Sequence, residues 1–143
     1  KINENASKII NQINSWLIIL ENYYEKHNLF KSKSLHLALF MQHEPFDLRY
    51  LRMSLNNEQK LTLFNLIKDF MDRNVFKYLE LQDKNKLNPL FCRFLNSKDY
   101  KSFDLSYSCY KKANKLKRFL IKLIPIKRVR RKLRQQLKNS QKL

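Results

Sequence analysis

INENASKIINQINSWLIILENYYEKH, residues 2–27, decides the fold class. Its apolar residues Ala6, Ile9, Ile10, Ile13, Trp16, Leu17, Leu20 and then Tyr23 or Tyr24 recur at steps of three and four. Such steps return to one side of a 3.6-residue turn, so the stretch predicts one long amphipathic helix. Asn3, Glu4, Lys8, Asn11, Gln12, Ser15, Glu21 and Asn22 fall mostly off that stripe.

The same period continues along the chain. Residues 30–42 predict a second helix, with Ser32 or Ser34 as its cap and Pro45 closing it. Leu35, Leu37, Ala38, Leu39, Phe40 and Met41 make it apolar nearly all round, so it should be central. Residues 46–54 are ambiguous and accommodate one further short turn. A third helix starts near Asn56 or Asn57, where Asn56 and Gln59 have capping-box spacing. Leu61, Leu63, Phe64, Leu66, Ile67, Phe70 and Met71 give it a wide buried face. Residues 82–88 read as a loop, Pro89 as the first turn of a helix, and Asn96 or Ser97 as the cap of the next, with Asp99 in its first turn. Tyr100, Phe103, Tyr107 and Tyr110 share a face of that helix. The expectation is an all-α fold, an irregular bundle of about five to seven helices with a basic amphipathic C-terminal tail.

Composition narrows the chemistry. The chain has no glycine, although ordinary usage of about 7% would supply about ten. Loops that cradle phosphates need glycine, because the backbone must reach positive φ and approach the ligand closely. A P-loop and a dinucleotide fingerprint are therefore excluded from these 143 residues, and no cofactor is expected in this fragment. Tight hairpins also depend on glycine, which argues against a β-rich fold. No run of apolar residues is long enough to span a bilayer. The chain begins at Lys1 rather than Met, so a longer parent protein is expected.

No catalytic or metal site is expected. His27, His36 and His43 are the histidines, and no His-Glu-x-x-His pattern joins them. Asp69 and Asp72 are three apart, but Lys68 and Arg73 beside them indicate a solvated charged face. Ser54, Ser106 and Ser108 lie in no nucleophile elbow, which would need glycine. Cys92 and Cys109 form no Cys-x-x-Cys pair and read as reduced thiols.

Charge divides the chain into residues 1–110, a helical body, and residues 111–143, a basic segment. The segment contains fourteen Lys or Arg and no Asp or Glu, so it holds +14 of the formal net charge of +18. Leu116, Phe119, Leu120, Leu123 and Ile124 form an apolar stripe before Pro125; Ile126, Val129, Leu133 and Leu137 continue it beyond. Lys117, Arg118, Lys122, Lys127, Arg128, Arg130, Arg131, Lys132, Arg134 and Lys138 surround the stripe. An aliphatic seam within a cationic circumference suits a helix lying on an anionic membrane, the seam in the acyl boundary and the cations at the headgroups. Packing of Leu116 to Ile124 onto the helical body is the plainer reading. Nucleic acid is the rival partner, since phosphate neutralisation needs only Lys and Arg. Single-strand binding, however, wants aromatics among the cations, and after Tyr110 the tail has one, Phe119. Lipid is therefore favoured. An oligomerising seam that meets a partner helix or a second copy is a further alternative.

YKKANKLKRFLIKLIPIKRVRRKLRQQLK, residues 110–138, resembles the C-terminal ends of bacterial family-2 (GT-A type) glycosyltransferases from surface-glycan loci. There a pattern K-x-F-(I/L)-K-x-(I/L)-(I/L)-P-x-K-x-(I/L/V)-R-x-K-(I/L)-R often closes the protein. The matching positions are Lys117, Phe119, Leu120, Lys122, Leu123, Ile124, Pro125, Lys127, Val129, Arg130, Lys132, Leu133 and Arg134. KIINQINSWLIILENYYEKHNLF and LFNLIKDFMDRN look like the helical extension that follows the catalytic domain in such enzymes. The resemblance implies an accessory module on the cytoplasmic face of the inner membrane, docking an upstream catalytic domain near a lipid-linked acceptor. The family's Asp-x-Asp motif does not occur in this sequence, so no catalytic residue carries over.

Overall fold

A computed structural model of the protein describes residues 2–124 and 127–142, with backbone alone at residues 2–4, 128 and 140–142. Seven α-helices occur among the described residues: α1 (Ile2–Lys26), α2 (Phe30–Met41), α3 (Asn57–Asn74), α4 (Leu81–Lys84), α5 (Pro89–Asn96), α6 (Tyr100–Lys122) and α7 (Lys127–Lys142). A π-helical segment, Gln42–Leu51, follows α2, and a 3-10 turn, Phe76–Tyr78, follows α3. No strand is present among the described residues. The all-α, multi-helix fold expected from the periodicity is the fold observed. Two compact units divide at residues 95 and 96. The charge boundary at residue 110 instead falls inside α6.

In the first unit, α1 ends without glycine. Asn28 takes φ of 52°. The Leu29 N–H donates to the Tyr24 carbonyl at 2.9 Å and the Asn28 N–H to the Glu25 carbonyl at 3.1 Å. This is a Schellman closure with asparagine in the position glycine usually holds, since asparagine tolerates the left-handed region best among the remaining residues.

Pro45 does not end the second helical run. The chain stays helical through it to Leu51. A continued α-helix would drive the proline ring into the carbonyl four residues back. The wider π turn, bonded i to i+5, relieves that conflict. Burial supplies the reason to continue: Pro45, Phe46 and Tyr50 are all buried. Arg49 pairs with Glu44 at 3.3 Å and Arg52 with Asp47 at 2.8 Å, both five residues apart as the wider turn requires.

The serine cap expected for α2 is not formed. Leu29 occupies the cap position with no side-chain bond, and Ser34 is buried inside the helix. Its hydroxyl donates to the Tyr78 carbonyl at 3.5 Å, 44 residues away. The capping box of α3 forms as expected: the Gln59 N–H donates to Asn56 Oδ1 at 2.8 Å and the Asn56 N–H to Gln59 Oε1 at 3.0 Å. Gln59 Nε2 also donates to Ser7 Oγ at 2.9 Å, fastening α3 to α1. Glu21 joins the same two helices, accepting from Arg73 Nη2 at 3.1 Å and from the buried Asn74 amide at 2.7 Å.

The core of this unit is aromatic. Phe94 on α5 lies 4.8 Å from Phe46, 4.9 Å from Tyr50 and 4.7 Å from Phe64 between ring centroids. Full burial of each phenylalanine contributes about 2–3 kcal/mol. The expected loop at residues 82–88 begins with the one-turn helix α4, and Asn88 then caps α5, its Oδ1 accepting from the Leu90 N–H at 2.8 Å.

Candidate functional site

The second unit contains α6, α7 and most of the cationic positions. Asp99, rather than Asn96 or Ser97, caps α6; its carboxylate accepts from the Ser102 N–H at 2.8 Å. Hydrogen bonds from the Ser102 backbone and side chain hold its carboxyl below the usual carboxylate range. Tyr100 and Phe103 are buried, and Phe103 stacks on Tyr107 at 5.8 Å. Lys111 Nζ lies 4.3 Å from the Tyr107 ring centroid, a cation–π contact.

Leu116, Phe119 and Leu120 of α6, with Leu123 at its C-cap, remain more than half exposed, at 58%, 57%, 52% and 63%. They form a continuous apolar strip along the helix end. Lys117, Arg118 and Lys122 on the same two turns are exposed. Ile124 lies past the helix end and is half-buried.

On α7 the apolar residues are placed differently. Val129 is 43% exposed, whereas Leu133 and Leu137 are half-buried. Ile126 lies outside the described residues, as does the side chain of Arg128. Lys127, Arg131, Lys132, Arg134 and Lys138 are exposed. Arg130 is half-buried: its Nε donates to the Ile124 carbonyl at 2.9 Å, and its Nη2 donates to the same oxygen. This arginine closes the end of α6 onto α7.

A cleft of about 530 Å³ lies between α6 and α7. Arg118, Ile121 and Lys122 line it from α6, and Arg131, Arg134, Gln135, Leu137 and Lys138 from α7. At 3.6 residues per turn, Arg118, Ile121 and Lys122 lie on the opposite side of α6 from Phe119, Leu120 and Leu123. The structure thus separates what the sequence ran together. One side of α6 is an open apolar strip; the other, with α7, gathers five of the expected cations. Spacing along one helix could not reveal the cleft or the neutral Gln135 within it, because both need the second helix.

The remaining candidates do not assemble. Among the described residues no group of three or more His, Cys, Asp or Glu could hold a metal ion. Asp69 and Asp72 are exposed. His27 is exposed and lies 4.5 Å from the Tyr23 ring. Cys92 and Cys109 are free, and burial pushes the Cys92 thiol up. No helix among the described residues is long and apolar enough to cross a membrane. The first unit has a groove of about 810 Å³ along α1 and the start of α3, lined by hydroxyls, amides, Lys8, Trp16 and Ile19.

Comparison of the chain with protein-family models, with curated proteins and with solved structures finds no match in any of the three.

Proposed function

We propose that this chain is a helical accessory module that holds a catalytic domain of the same protein against an anionic membrane face. The observation that carries the reading is the exposed strip of Leu116, Phe119, Leu120 and Leu123 beside exposed Lys115 and Lys117. Covering each such side chain contributes roughly 1–2 kcal/mol, and each cation near an anionic surface about 1 kcal/mol. Together they suffice for reversible peripheral attachment with no spanning helix. The tail pattern at residues 110–138, similar to the ends of family-2 glycosyltransferases, supports surface-glycan synthesis as the setting and the cytoplasmic face of the inner membrane as the location. In this reading the transfer chemistry belongs to the attached domain.

Co-sedimentation with phosphatidylglycerol vesicles tests the attachment. Binding should fall as salt rises, because screening weakens the surface attraction. Phe119→Glu with Leu123→Glu should abolish it by placing charge in the acyl boundary. A polynucleotide titration runs beside it. Tight polynucleotide binding without vesicle binding would overturn the membrane reading in favour of a nucleic-acid module, for which log affinity falls linearly with log salt.

A further inference from the structure

Helix α1 has a face that neither the core nor the proposed attachment uses. Ser7, Asn11 and Ser15 stand four residues apart, as do Lys8, Gln12 and Trp16, so two adjoining rows run along that face. Ala6, Ile10 and Leu17 are buried on the opposite side of the helix. The first turn of α3 walls the rows. Its capping box of Asn56 and Gln59 fixes that turn, and Gln59 Nε2 donates to Ser7 Oγ at 2.9 Å. Together they outline the open groove of about 810 Å³, a size within the range of small-ligand clefts, about 300–1,000 Å³. From Ser7 to Ile19 the groove runs about 18 Å, at about 1.5 Å per residue. One charged side chain, Lys8, lines it, in a chain with 30 Lys or Arg and 12 Asp or Glu.

We infer that this groove binds a short neutral oligosaccharide, with Trp16 as its platform. The site is independent of the membrane reading. Asn11, Gln12 and Ser15 make no hydrogen bond to another described residue through their side chains. Each amide offers donors and an acceptor, and the hydroxyl offers both. Sugar hydroxyls are likewise donor and acceptor at once, so they pair with every one of these groups. Trp16 is 42% exposed, and Phe40 braces its ring at 4.6 Å between centroids. The indole is thus held in place before a ligand arrives, which lowers the ordering cost of binding. Its broad apolar face suits the C–H face of a pyranose ring, leaving the hydroxyls at the ring's edge for the amides. Ile19, 67% exposed, extends the apolar platform. Other ligand classes fit less well. A wholly apolar ligand would strip water from two amides and a hydroxyl without pairing them. A phosphorylated ligand would meet a single cation, Lys8, and no arginine fork to hold its oxygens.

Trp16 is the single tryptophan of the chain, so its fluorescence reads the groove directly. The full chain is titrated with maltotriose, mannotriose and triacetylchitotriose. At least one of these should give a saturable change in Trp16 emission, unaltered by added salt because the ligand is uncharged. Asn11→Ala with Ser15→Ala should weaken that ligand by about tenfold or more through lost hydrogen bonds. Trp16→Ala should abolish its binding in calorimetry. Asn14→Ala with Asn22→Ala removes two amides from exposed positions of α1 outside the groove and should change the affinity less than about twofold. Circular dichroism accompanies every variant, and the Asn11, Ser15 pair keeps the test decisive should Trp16→Ala fail to fold. No emission change with any of the three sugars up to about 10 mM, which nearly saturates a millimolar site, overturns the inference. Equal weakening by the two double variants does the same. A response to adenosine with none to the sugars also overturns it, in favour of a stacked nucleobase. Phe119→Glu with Leu123→Glu should lose phosphatidylglycerol vesicles and keep the sugar, so failure of the membrane reading leaves this site standing.

Discussion

Arg130 and Ile124 are joined side chain to backbone, with the guanidinium Nε on α7 donating at 2.9 Å to the carbonyl oxygen just past the end of α6. Carbonyls at a helix end lack partners within the helix, and a cation there also meets the negative end of the macrodipole. Arg130→Ala should therefore loosen α7 by about 1 kcal/mol, a charged hydrogen bond discounted for partial exposure. Amide hydrogen exchange should quicken in residues 127–138 and stay unchanged in residues 57–74. Arg131→Ala serves as the comparison. If both variants exchange alike, the contact does not hold the hairpin.

The aromatic core should be sensitive at one position. Phe94 is fully buried among Phe46, Tyr50, Phe64 and Phe91. Phe94→Ala should cost about 3–5 kcal/mol through lost burial and the cavity left behind. Leu81 is 78% exposed, and Leu81→Ala should stay within about 0.5 kcal/mol. Urea midpoints of the two variants check the contrast.

Asn28 permits a test in both directions. At φ of 52° a β-branched side chain collides with its own backbone, so Asn28→Val should cost about 1–2 kcal/mol. Asn28→Gly should be neutral or stabilising by up to about 1 kcal/mol, because glycine takes this conformation without a Cβ clash. Thermal melting would show the ordering Gly, Asn, Val.

Asp99 makes one contribution depend on pH. Its folded carboxyl titrates below the ordinary range because the Ser102 backbone and hydroxyl donate to it. A depressed folded value means that the charged cap stabilises α6 at pH above the ordinary carboxylate range. That stability is lost as pH falls through the lowered folded value. Asp99→Asn keeps an acceptor for the Ser102 N–H but does not titrate. The wild type should therefore lose stability relative to Asp99→Asn during an acid titration followed by circular dichroism. Parallel curves would mean the cap charge has no part in holding α6.

Much of the fold was legible along the chain. The spacing of Ala6, Ile10 and Leu17 placed α1, and all three are buried. Asn56 and Gln59 announced their capping box because both members lie within one turn. Pro89 marked the start of α5 for the same local reason. Four expectations failed, two of them where packing intervened and two through local bonding. Ser34 is drawn into the core by Tyr78 instead of capping α2. Pro45 is carried through by the burial of Phe46 and Tyr50. Asp99 outcompetes Asn96 and Ser97 as the cap of α6, and residues 82–88 begin with the helical turn α4.

The amino-acid sequence by itself determined that the chain is helical, and that its cations accumulate beyond residue 110 beside an apolar seam. Both properties follow from which residues stand three or four apart, a relation one helix satisfies within itself. The tertiary structure decided which parts of that seam are exposed. A helical period describes a single cylinder and says nothing about which side a second cylinder covers. With α7 packed on α6 and Arg130 fastened to Ile124, Leu133 and Leu137 are half-buried while Phe119 and Leu123 stay open. Arg118, Lys122, Arg131, Arg134 and Lys138 then line one cleft, because side chains as far apart in sequence as Arg118 and Lys138 share it once α7 lies along α6.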